Sequence, residues 1–95
     1  MERADILERA KTLITGQRQE DYGDAKESFS RIARLWSAYL VNLPISPEDV
    51  AVMMMLLKVS RLLGSNFQHL DSWTDAIGYL ALGAELSEAK EEKDA

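Results

Sequence analysis

Apolar residues along the first third of the chain recur with helical period. Ile6, Leu7, Ala10, Leu13 and Ile14 fall on one face of a segment running from Glu2 to Thr15. Gly16 stands where a left-handed residue would close that helix. Residues 17–23 lose the period and read as a loop. Asp24 and Glu27 then form a capping-box pattern ahead of a second stripe of Phe29, Ile32, Ala33, Trp36, Tyr39 and Leu40. This helix should stop before Asn42-Leu43-Pro44, since a residue preceding proline is driven out of the helical region. Ser46-Pro47-Glu48-Asp49 supplies an N-cap serine, a first-position proline and two acids at the positive end of the helix dipole, so a third helix starts there. From Val50 to Leu57 that helix is apolar on every side; Lys58, Ser60 and Arg61 follow, and Gly64 is expected to end it. Asp71 or Ser72 is expected to cap a fourth helix carrying Trp73, Ala76, Ile77, Leu80, Ala81 and Ala84. The pattern predicts an all-α fold, a compact four-helix antiparallel bundle with a central apolar third helix. One domain is expected over residues 1–86, and a charged tail over 87–95 should fray.

Composition narrows the partners. Ninety-five residues allow a single small domain, and 46% hydrophobic content is enough for a core. The apolar runs are too short and too often broken by charge to span a bilayer, so no membrane partner is expected. Without cysteine there is neither a disulfide framework nor a thiolate metal site, and the charged N-terminus lacks the features of a signal peptide. The expected location is the cytoplasm. Sixteen acids against eleven bases give a net charge of −5, which argues against duplex nucleic acid. A core this modest beside so apolar a third helix also predicts a homo-oligomer, a dimer or larger.

Chemistry concentrates at the corner between the third and fourth helices. Lys58 and Arg61 share one helical face, Asp71 and Asp75 another. Two readings stand: a salt-bridge cluster fixing the corner, or a site in which Asp71 and Asp75 share a magnesium ion while Lys58 and Arg61 hold phosphate oxygens. The acidic face continues onto Gly78, a mid-helix glycine that costs about 1 kcal/mol relative to alanine and so implies close approach of a neighbouring helix or of a ligand. Gly83 permits the same reading. Tyr79 directs its hydroxyl either into the cluster or outward. Tyr22, in the polar loop ahead of the second helix, either stacks a base or packs on the bundle. His69 is the only histidine, and no serine has a recognisable base partner, so nucleophilic catalysis has no support. Met53 to Met55, Trp36 and Trp73 read first as core or subunit-interface residues.

Asp21-Tyr22-Gly23, Lys58-x-x-Arg61 and Asp71-x-x-x-Asp75-x-x-x-Tyr79, with Arg34-Leu35-Trp36-Ser37 and Ser46-Pro47-x-Asp49-Val50, form a pattern over Arg18 to Leu86. It resembles a family of small phage and prophage domains of unknown function. It is also similar, less closely, to phage nucleotide-modification-associated domains and, distantly, to all-α nucleoside triphosphate pyrophosphohydrolases of the MazG and dUTPase type. The last likeness implies magnesium held by Glu-x-x-Glu on one helix and Glu-x-x-Asp on a later one, activating a water against a triphosphate. This chain departs from both halves: Glu27 is followed at the third and fourth positions by Ser30 and Arg31, and Asp71 and Asp75 are four apart rather than three. The resemblance implies a nucleotide or other phosphate-bearing small molecule as ligand, with Tyr22, Lys58, Arg61 and Tyr79 binding it and Asp71 and Asp75 on magnesium. Turnover as a pyrophosphohydrolase, sequestration of an intact nucleotide signal, and a structural or protein-interaction role are the three functions it leaves open.

Overall fold

A computed structural model of the chain describes residues 1–16 and 24–94, with side chains as far as residue 88. Among the described residues there are four helices and no strands: α1 (Arg3–Thr15), α2 (Ala25–Tyr39), α3 (Pro47–Gly64) and α4 (Leu70–Asp94). The all-α bundle is the architecture that the periodicity predicts. None of these helices is long and apolar enough to cross a membrane.

The starts follow local chemistry. The Ser46 N–H donates to Asp49 Oδ2 at 2.9 Å and the Asp49 N–H donates to Ser46 Oγ at 3.0 Å, closing the box at the head of α3. These bonds, the backbone one foremost, hold the Asp49 carboxyl below its usual pKa. At α2 the Asp24 carboxylate accepts from the Lys26 N–H at 3.3 Å, one residue short of the position that the expected box uses. The start of α4 also differs from expectation. Its first residue is Leu70, so Asp71 and Ser72 lie inside the first turn, and Ser72 Oγ sits 2.6 Å from Nδ1 of His69, which precedes the helix.

The ends depart further. Gly16 closes α1 at φ −107°, outside the left-handed region, and Gly64 is the last residue of α3 rather than its stop. Other residues make the endings instead, a Schellman motif after α2 and a single bond spanning five residues after α3. After α2, the Asn42 N–H donates to Ser37 O at 2.8 Å and the Val41 N–H to Ala38 O at 3.2 Å, with Val41 at φ 60°. After α3, the Phe67 N–H reaches Leu62 O at 2.7 Å, with Asn66 at φ 55° and Phe67 at φ 65°. Asparagine tolerates that conformation; a β-branched valine does not, and the penalty is about 1 kcal/mol or more. Val41→Gly should therefore raise the melting temperature by roughly 4–8 °C, as about 1 kcal/mol does in a domain this size. An unchanged or lower value in a thermal melt would show that the strain is not there.

In space the helices run α1, α4, α3, α2, each packed mainly on the next, with α3 against α4 the most extensive pairing. The core joins Phe29 and Ala33 of α2, Val50 and Ala51 of α3 and Leu86 of α4, with Trp36, Ile45, Met54, Tyr79 and Leu82 packed around them. Close approach of the helices explains both mid-helix glycines. A Cβ on Gly83 would sit 2.9 Å from the Ala51 Cβ, and one on Gly78 would sit 2.9 Å from Cγ2 of Ile14. Gly83 thus lets α3 lie close on α4, and Gly78 does the same for α1. Helix α3 stands between α2 and α4, but its neighbours cover only one side of it. α4 continues through Ser87 to Asp94, the stretch expected to fray.

Candidate functional site

The row order of the helices creates the site. α1 and α2 flank the α3–α4 pair without packing extensively on each other, which leaves a cavity of about 400 Å³ between them. That is within the range of small-molecule pockets. Its apolar lining comes from Leu13 and Ile14 on α1, Phe29 and Ile32 on α2, Met54 on α3 and Leu82 on α4. Its polar border comes from Asp24, Ser28, Thr74, Asp75, Tyr79 and Glu85. Tyr79 is half-buried, its ring tilted against that of Phe29 with centroids 6.3 Å apart, so the aromatic pair spans from α2 to α4.

Beside the cavity lies an interior ion pair. Lys58 Nζ is 3.0 Å from Asp75 Oδ2, and both side chains are nearly enclosed, at 12% and 11% exposure. The spacing of Lys58 and Asp75 on helices that meet at a corner brings these two together, as the sequence suggests. The other two members of the expected cluster do not join them. Asp71 turns outward and pairs with Arg9 of α1 at 3.2 Å, while Arg61 is exposed in the last turn of α3 and makes no ion pair among the described residues. Arg9 is the partner that sequence reasoning missed, and nothing local could have found it, because it lies 62 residues from Asp71.

The expected magnesium pair, Asp71 and Asp75, therefore has each carboxylate beside a cation, Arg9 and Lys58 respectively. Among the described residues no three Asp, Glu, His or Cys groups converge as a metal site. Tyr22 lies outside the described residues, and Lys58 and Arg61 are not among the described residues that line the cavity. Asp24 and Glu85 do line it. Asp24 read from sequence as a cap and as the last residue of the polar loop that carries Tyr22, whereas Glu85 continues the α4 face of Asp75, Gly78 and Leu82, a signal available in the spacing. The corner itself is tied down by Trp73, whose Nε1–H donates to Phe67 O at 2.9 Å, and by the Phe67 and Trp73 rings, 6.5 Å apart. Ser72 and Thr74 are fully buried and bonded locally, Thr74 Oγ1 to Asp71 O at 3.0 Å.

Residues 5–87 match the family described as Domain of unknown function (DUF6378). The chain is 44% identical over 88 residues to the Gene 55 protein of Mycobacterium phage L5, covering 93% of this chain and 56% of that protein. It is 47% identical over 74 residues to the Gene 55 protein of Mycobacterium phage D29, covering 78% of this chain and 48% of that protein. The chain thus spans about half the length of the curated relatives it matches. No solved structure matches it. These matches carry the likeness to phage domains and not the likeness to pyrophosphohydrolases.

Proposed function

From the premise that the chain belongs to this family of small phage domains of unknown function, we propose that it binds a nucleotide or related phosphate metabolite in the cavity between α1, α2 and α4. The observation that carries the reading is the division of the cavity's lining. Phe29, Ile32, Met54 and Leu82 offer an apolar surface suited to a base, and Tyr79 adds a ring with a polar tip. Asp24, Asp75 and Glu85 bring carboxylates to the same space. Carboxylates repel a bare phosphate, and the chain's net charge of −5 adds to that repulsion. The phosphate therefore enters with a divalent cation of its own, and the species bound is the magnesium–nucleotide complex. The carboxylates then meet the cation rather than the anion. Binding of the intact complex is the activity this arrangement supports; hydrolysis of the anhydride is the further outcome to be looked for.

A second reading is favoured by a different observation. Lys58 and Asp75, and Arg9 and Asp71, already pair within the fold, as a purely structural corner would require. One experiment separates the two. The protein is titrated with nucleoside and deoxynucleoside triphosphates, and with the parent nucleosides, in magnesium and again in chelator, reading thermal shift and chromatographed products. The proposed reading expects stabilisation by the triphosphate only with magnesium, and about tenfold weaker affinity in Asp75→Asn, equivalent to about 1.4 kcal/mol. Pyrophosphate release would add turnover. Binding of nucleosides alone, indifferent to chelator, would overturn the cation-bridged mode, and silence throughout would leave the structural reading.

A further inference from the structure

The carboxylates of the cavity do not all serve one cation. Asp75 and Glu85 both border it, but ten residues of the continuous helix α4 separate them, which places them about 15 Å apart along its axis. A hard divalent cation holds its oxygen ligands at about 2.0–2.6 Å, so the ion that Asp75 meets is out of reach of Glu85. Between the two, the same α4 face carries Gly78, Tyr79 and Leu82, and Ile32 of α2 lines the cavity with them. The surroundings of the two acids differ as well. Asp75 is nearly enclosed beside Lys58, whereas Glu85 is exposed and makes no ion pair or side-chain hydrogen bond among the described residues. A carboxylate at one end of an apolar trough, with no partner in the protein, is left to a ligand.

We propose that Glu85 is a specificity-determining residue that reads the base of the bound nucleotide and selects guanine, an assignment that rests on Asp75 meeting the nucleotide's cation. With the cation at Asp75, a nucleoside triphosphate extended along α4 passes the Tyr79 ring and lays its base on Leu82 and Ile32. Glu85 stands one turn beyond Leu82, where the hydrogen-bonding edge of that base arrives. An ionised carboxylate only accepts, and it offers two oxygens side by side. Guanine presents two adjacent donors on that edge, the ring N1–H and the 2-amino group, and so makes a bidentate, charge-assisted pair. The other bases do not match. Adenine and cytosine set an amino group beside an acceptor nitrogen, and thymine and uracil set one N–H between two carbonyls. Each of these turns a lone pair toward the carboxylate and leaves one of its oxygens without a donor.

The test is calorimetric titration of the full chain, in magnesium, with the triphosphates of guanosine, inosine, adenosine and cytidine. Inosine lacks only the 2-amino group of guanosine, so the wild type alone isolates one of the two bonds. Guanosine triphosphate should bind about tenfold more tightly than the adenosine and cytidine compounds, or better, with inosine triphosphate between them. Glu85→Gln exchanges one acceptor oxygen for a donor amide. It should weaken guanosine triphosphate about tenfold and leave adenosine triphosphate little changed. Because Glu85 is exposed and bonds to none of the described residues, the melting temperature of Glu85→Gln should match the wild type. Equal affinities for guanosine, inosine and adenosine triphosphates, or a guanine preference that survives Glu85→Gln, would overturn the role of Glu85 and leave the magnesium–nucleotide reading standing. A wild type that binds none of the triphosphates would remove that reading and the role of Glu85 together.

Discussion

Asp75→Ala is expected to destabilise the fold by about 3–5 kcal/mol, lowering the melting temperature by roughly 15–30 °C. The reason is what remains behind. With Asp75 gone, the Lys58 ammonium stays nearly enclosed on the inner side of α3 without the carboxylate that now sits 3.0 Å away. An ion left unpaired in that setting loses its hydration and gains nothing in exchange. Asp75→Asn should be milder, because an amide oxygen still accepts from the ammonium, and its loss should lie nearer 1.5–3 kcal/mol, the range for a hydrogen bond to a charged group. The order wild type, Asn, Ala in urea unfolding is the diagnostic result. An alanine variant within 1 kcal/mol of wild type would mean that the pair is solvated in practice and that the corner is held by Trp73 and the core alone.

The same pair shows how far sequence reading reaches. The start of α3 was legible because its cause is local: Ser46, Pro47 and Asp49 carry the whole geometry of that cap within four residues. Helix ends were less so. Gly16 and Gly64 are the residues that a glycine rule selects, yet the left-handed positions fall on Val41 and Asn42 and on Asn66 and Phe67. There the reversal of the chain into the next helix dictates the conformation, and Val41 accepts strain that composition gives no reason to expect. At the site, Lys58 and Asp75 could be placed together because a short connection joins their helices. The Arg9–Asp71 pair and the cavity could not be read, since both follow from α1 docking on α4 rather than on α2, a choice made by long-range packing. Glu85 lay within reach of the pattern, one turn beyond Leu82 on the face of Asp75 and Gly78.

The mid-helix glycines supply the second large effect, and they are expected to differ although a new Cβ would meet its neighbour at 2.9 Å in each case. Alanine at either position gains about 1 kcal/mol of helix propensity. At Gly83 the obstructing atom is the Cβ of Ala51, a residue with no exposed surface whose position is fixed by the α3 backbone. Relief there requires α3 and α4 to separate along the most extensive helix pairing of the fold. Overpacking of this kind costs about 1–3 kcal/mol for small additions, so Gly83→Ala should be destabilising on balance and Gly83→Val more so, by about 3 kcal/mol. At Gly78 the obstruction is a methyl group of Ile14, half-buried on α1, and α1 packs on α4 far less extensively than α3 does, adding only an exposed ion pair through Arg9. A small displacement of α1 accommodates the new methyl, so Gly78→Ala should fall within about 0.5 kcal/mol of wild type once the propensity gain is counted. Urea unfolding of Gly78→Ala, Gly83→Ala and Gly83→Val decides the matter. Equal losses at positions 78 and 83 would mean that α1 is held as firmly as α3, and that the cavity between α1 and α2 is walled more rigidly than the packing order implies.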